Sequence, residues 1–249
     1  MCTIGYHHDL KILFKNRDKQ SVLDEEIIEN ENFIACRTCS ADYFSWGLNK
    51  YGCAFVSAAI NSPEWTRLVY QGLDNEARDK YNEEHRGLHN PMELVSEKLP
   101  GVRTIEEWAA ELESSNRRWM GYNVILADTS KAFLIEFYGN EKHTSLLTSR
   151  SAVTNHFRNL AFGPRQAEDY PSSFRRYEYG NDLIKKAESI DDIFEIVNPT
   201  NVEQRTKIWR NGKFITLSSS VIDFQQGEVH YLKHTAKKYA RLSCGRNEK

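Results

Sequence analysis

The chain has 249 residues, 40% of them hydrophobic and 12% aromatic, enough to bury a sizeable core within one domain spanning 1–249. Its 33 Lys and Arg are interspersed among 35 Asp and Glu for a formal net charge of −2, which excludes a global attraction to nucleic acid. No apolar run approaches the ~20 residues of a membrane-spanning helix, and no basic segment followed by an apolar one opens the chain, so a cytoplasmic protein without a membrane partner is expected.

The N-terminus reads Met1-Cys2-Thr3-Ile4-Gly5-Tyr6. Cysteine is small enough at the second position for the initiator methionine to be removed, which would leave a thiol and a free α-amine on one residue. An α-amine titrates near 7.7–8.0 and a thiol near 8.5, so each is partly in its reactive form at neutral pH, as in the variants of the Ser-His arrangement that use an N-terminal amine as base. The alternative is that Cys2 is a small buried residue of an N-terminal strand.

Strands are expected over 3–6, 10–14, 33–37, 43–48 and 53–60, with a turn at Asn49-Lys50-Tyr51-Gly52. Lys15-Asn16-Arg17-Asp18 closes the second strand of a hairpin begun by Cys2, and the acidic run over 24–31 reads as solvated loop. A helical region follows over 63–116, interrupted at Gly87 and Pro100-Gly101. Its clearest member starts at the capping box Thr104-Ile105-Glu106-Glu107 and carries Ile105, Trp108, Ala109 and Leu112 on one face. Strands return over 122–127, 132–138 and 152–155, then helices over 172–187 and from the Ser189-Ile190-Asp191-Asp192 cap to 197. A hairpin of 213–224 and 229–233 turns at Gln225-Gln226-Gly227, and the basic tail from Lys233 reads as solvated. This order predicts a layered α+β domain of two mostly antiparallel sheets packed under helices.

Five cysteines, an odd number, point to reduced thiols rather than a disulfide framework. Cys36-Arg37-Thr38-Cys39 has redox or zinc spacing but lacks a matching second pair, and His85 and His89 lack the Glu of a zinc-protease helix. No metal and no cofactor are expected. Homo-oligomerisation is compatible with the sequence, which fixes no number of subunits.

An N-terminal thiol needs a cation to favour thiolate, a carboxylate to hold the α-amine and donors for an oxyanion. Cys2-Thr3, Asn16-Arg17-Asp18, Gly47-Leu48-Asn49-Lys50-Tyr51-Gly52, Val153-Thr154-Asn155-His156 and Ser172-Ser173-Phe174-Arg175-Arg176-Tyr177 come in an order that resembles the N-terminal cysteine nucleophile (Ntn) hydrolases. The nearest groups are the choloylglycine hydrolases with the penicillin V acylases, and the acyl-CoA:6-aminopenicillanic acid acyltransferases. The resemblance implies a four-layer αββα sandwich and an amidase cleaving linear, non-peptide C–N bonds in a small-molecule acyl amide.

Carried over by position, Cys2 is the nucleophile, Arg17 the cation beside the thiol, Asp18 the holder of the amine, Asn155 the oxyanion donor and Arg176 the second arginine, with Arg175 a competing match. Asn61 is a looser match for a further substrate or oxyanion residue. Choloylglycine hydrolases spell the second motif Arg-Asn-x-Asp, whereas Asn-Arg-Asp is contiguous here, as in NRDE-domain proteins. In an extended strand Arg17 and Asp18 face opposite ways and reach Cys2 together only if the strand has turned there. An acyltransferase sharing the acyl-enzyme, a non-catalytic NRDE-like binding protein, and a thiol or zinc module on Cys36 and Cys39 are the rival readings.

Overall fold

The computed structural model describes residues 2–19, 22–61, 79, 82–83, 86–160, 171–199, 215–234 and 237–243. One sheet has six strands in the order β10-β1-β2-β11-β12-β13: β1 (Cys2–His7), β2 (Ile12–Lys19), β10 (Ser151–Val153), β11 (Ile215–Asp223), β12 (Glu228–Lys233) and β13 (Lys238–Ser243). The other has seven in sequential order: β3 (Glu25–Glu29), β4 (Phe33–Thr38), β5 (Trp46–Asn49), β6 (Ala54–Ala59), β7 (Trp119–Ala127), β8 (Ala132–Gly139) and β9 (Glu141–Leu146). The helices are α1 (Pro91–Lys98), α2 (Ile105–Ser114), α3 (Pro171–Lys186) and α4 (Ile190–Val197).

The period of two along the strands explains the layers. Leu13 joins Ile4, Tyr6, Val56 and Ile125 in a core between the sheets, while its neighbours Ile12 and Phe14 pack with Ile184, Ile193 and Val197 of α3 and α4. On the other sheet Ala54, Val56 and Ala58 look inward, and Phe55 looks out onto Met92, Val95, Ile105 and Trp108 of α1 and α2. Each sheet therefore buries both faces, and the layers run helix, sheet, sheet, helix. This is the αββα sandwich implied by the ordered motifs.

Three strands were not expected. The acidic run is β3 rather than loop, the basic tail continues into β13, and β9 follows β8 directly; each is the edge of its sheet. Edge strands carry charge that deters pairing with other chains, so Glu-Glu-Ile-Ile-Glu has the composition of a loop although it pairs with β4 along its length. The second strand also runs further than its apolar part, to Lys19, and the strand expected over 43–48 is confined to Trp46–Asn49.

Of the helical region over 63–116, residues 63–78, 80–81 and 84–85, His85 among them, lie outside the described residues, as do positions 213–214 of the last hairpin. At α2 the Thr104 Oγ1 accepts the Glu107 amide at 3.2 Å, but the Glu107 carboxylate takes the Arg103 amide rather than that of Thr104, so only one arm of the box is closed. Ser189 and Asp192 close both arms at α4. Cys36 is buried in β4 and Cys39 exposed in the turn after it. Among the described residues, no group of three or more His, Cys, Asp or Glu is arranged to hold a metal, and no helix is long and apolar enough to cross a membrane.

Candidate active site

β1 and β2 pair antiparallel, with Cys2 opposite Arg17, Thr3 opposite Asn16 and Ile4 opposite Lys15. Directly opposed residues share a face, so Cys2, Ile4, Lys15 and Arg17 project between the sheets, while Thr3, Asn16 and Asp18 project toward the helices. The strand has not turned at the motif, and the side chains of Arg17 and Asp18 lie on opposite faces. The Asp18 amide hydrogen-bonds the Cys2 thiol, and the Asp18 carboxylate charge also acts on that thiol.

Cys2 is only 8% exposed. Burial pushes its thiol up and the Asp18 charge adds to that, the Lys15 ammonium pulls it down most strongly, and the net shift is downward. Cys53 shows what burial does without a cation: its thiol is pushed up to about 12.

The Cys2 nitrogen donates to Asn155 Oδ1 at 2.7 Å, and Arg176 fixes both partners. Its Nη1 donates to Cys2 O at 2.8 Å and Thr3 Oγ1 at 2.9 Å, and its Nη2 to Asn155 Oδ1 at 3.0 Å. Of the two adjacent arginines, Arg176 is buried and Arg175 exposed. Asn155 is clamped in turn: its amide donates to Ser173 Oγ at 2.8 Å, and its Nδ2 to Ala59 O at 2.5 Å. Asn123 Nδ2 holds the carbonyls on either side, Thr154 O and His156 O, both at 2.9 Å. His156 shares Ser173 Oγ and stacks on Phe174 with ring centroids 3.9 Å apart.

Asp18 Oδ1 accepts Thr216 Oγ1 at 2.7 Å, where a bulge between Thr216 and Ser218 interrupts the β2–β11 register. The Arg17 guanidinium is engaged across the sandwich: Nη1 pairs with the buried carboxylate of Glu25, and Nη2 donates to Thr38 Oγ1. Tyr231 donates to the same carboxylate at 3.0 Å. Lys15 lies 2% exposed, its Nζ donating to Ser45 O at 2.8 Å, Ser57 O at 2.6 Å and Ser57 Oγ at 3.3 Å. Asn61 stands half-buried just past β6, two residues from the carbonyl that receives Asn155.

The structure thus gathers Cys2, Asn155 and Arg176 into one hydrogen-bonded unit, with Asp18 joined to it through its backbone. Lys15, Thr3, Asn123, Ser173 and Thr216 were not singled out from the sequence. For Lys15 a signal existed: Lys15-Asn16-Arg17-Asp18 fits the spacing Arg-Asn-x-Asp with lysine in first place. The others act through contacts with residues distant in the chain, which no local pattern announces.

Neither a comparison with known protein families nor one with curated proteins finds a match. Solved structures do match over nearly the whole chain. A conjugated bile acid hydrolase of Clostridium perfringens superposes with a TM-score of 0.60 at 12% identity, covering 100% of this chain and 94% of its own. An N-acylethanolamine-hydrolyzing acid amidase ortholog of Caenorhabditis elegans gives 0.58 at 11%, over 90% and 92% of the two chains. Penicillin V acylase of Agrobacterium tumefaciens gives 0.53 at 12%, over 98% and 86%. The chain shares its fold, the αββα sandwich with Cys2 at the head of its first strand, with the N-terminal nucleophile hydrolases.

Proposed function

We propose that this chain is an amidase that cleaves linear, non-peptide C–N bonds through an N-terminal Cys2, freed by removal of Met1. The observation that carries the reading is the convergence on one residue of a thiol shifted downward and a main-chain nitrogen held by Asn155, itself fixed by Arg176. The thiolate attacks the acyl carbonyl, the α-amine passes the thiol proton to the departing amine, and a thioester forms as the C–N bond breaks. Water then attacks the thioester, giving the carboxylic acid and restoring the thiol. One Asn155 Nδ2 hydrogen serves Ala59 O, and the other is offered to the oxyanion, a contact whose loss typically costs about 10²–10³ in rate.

The structures that share the fold are a bile acid hydrolase, an N-acylethanolamine amidase and a penicillin acylase, which direct the search toward N-acyl amides. The test is a hydrolysis screen of N-acyl amides, penicillin V and conjugated bile acids with processed protein. Turnover of any of them should fall at least about 10³-fold in Cys2→Ser and Cys2→Ala. Undiminished turnover in either variant refutes the assignment of Cys2.

A further inference from the structure

We propose that the Lys15 ammonium, and not the Arg17 guanidinium, is the positive charge that stabilises the Cys2 thiolate. The proposal rests on the reading of Cys2 as nucleophile and makes Lys15 a positioning residue, acting through the thiol rather than on the substrate.

Both cations stand on the face of β2 that looks between the sheets, so orientation alone does not choose between them. Their head groups do. The Arg17 guanidinium has its own buried counter-charge in Glu25, and that carboxylate is held by Tyr231. An arginine neutralised in this way offers little net field to a second anion. Lys15 is in the opposite condition. Its three N–H donors meet two carbonyls and a hydroxyl, all neutral, and among the described residues no carboxylate lies within ion-pair distance of it. A buried cation ringed only by neutral dipoles is poorly compensated, and an anion nearby lowers its free energy. The Cys2 thiolate is that anion.

The coupling is visible from both partners. Lys15 is the strongest influence lowering the Cys2 thiol, and burial brings the Lys15 amine down to about 8 while Cys2 pulls it back up. Among the described residues, the other groups acting on the pair are Arg17, Asp18 and Lys19 on the same strand, Cys36 from β4, and Tyr122 from β7. Glu25 enters through Arg17. The lysine is also rigidly placed. Ser57 lies in β6 of the opposite sheet and Ser45 immediately before β5, and Ser57 Oγ closes the ring by donating to Ser45 O at 3.1 Å, so the ammonium is pinned across the sandwich.

The test is the pH dependence of Cys2 alkylation by iodoacetamide, quantified on the N-terminal peptide so that other thiols do not contribute. It requires no turnover, so failure of Lys15 and failure of Cys2 as nucleophile are told apart: the latter shows as hydrolysis that survives Cys2→Ala. Lys15→Met should raise the alkylation midpoint by about one unit, slowing the reaction at pH 7 by about tenfold, and Lys15→Arg should restore it. The paired replacement Arg17→Met with Glu25→Leu, which leaves no lone buried charge, should keep the midpoint within about 0.3 units. Lys15→Gln serves if the methionine variant does not fold. A midpoint unmoved by removing the lysine charge overturns the proposal, as does an equal or larger shift from the Arg17 and Glu25 pair.

Discussion

His156 shows how closely a single residue of this site is bound to the acid limit of the fold. It lies beside Asn155 with its ring on Phe174, and burial, with the Arg176 and Arg158 charges, pushes it down to about 4. The folded value lies below the ordinary value near 6.5, so between the two the unfolded chain binds more protons and stability falls as pH falls. The loss between about pH 6.5 and 4 should approach about 3 kcal/mol, and His156→Gln should flatten that limb in urea melts across the same range. Arg176 carries a lesson in legibility at this scale. The motif left it level with Arg175, yet Ser173, Arg176, Gly180 and Ile184 are the buried stripe of α3 at helical spacing, and Arg175 falls off it. The deciding pattern was in the sequence, four residues beyond the motif.

At the scale of elements, α3 must come close to the sheet to deliver Arg176, and Gly180 permits it. A Cβ there would stand 3.2 Å from the Ala152 Cβ in β10 and 3.9 Å from the Thr3 methyl. Gly180→Val should push the helix outward, cost about 1–3 kcal/mol in a denaturant melt, and lower kcat/KM because Arg176 moves with the helix. Ser189→Ala is the contrasting change: it opens the capping box of α4, which holds none of the site residues, and should cost about 1 kcal/mol without altering kcat/KM. Legibility divides between the interior and the edges of the sheets. The strands that bury both faces, such as β6 and β8, were readable from their β-branched and aromatic runs, whereas β3, β9 and β13 are polar edges whose only evidence of being strands is their neighbour.

For the molecule as a whole, Arg17 ties one sheet to the other. It lies in β2, while its partners Glu25 and Thr38 lie in β3 and β4 across the sandwich, and Tyr231 returns the bond from β12. Removing one charge of a buried pair leaves the other uncompensated, so Arg17→Met should destabilise by about 3–5 kcal/mol, and adding Glu25→Leu should recover most of it. Urea melts of the two variants read this directly. The αββα layering was legible because the motifs occur in a specific order; this tie was not, since the acidic run had no visible partner until the sheets were stacked.

The central claim is that Cys2, bearing its own free amine, is the nucleophile. Intact-mass spectrometry after reaction with an electrophilic N-acyl probe tests it in one measurement. The account predicts a chain lacking one methionine and carrying one acyl group, mapped to Cys2 and absent from Cys2→Ala. Active protein that retains Met1, or correctly processed protein that takes no label at Cys2, contradicts it.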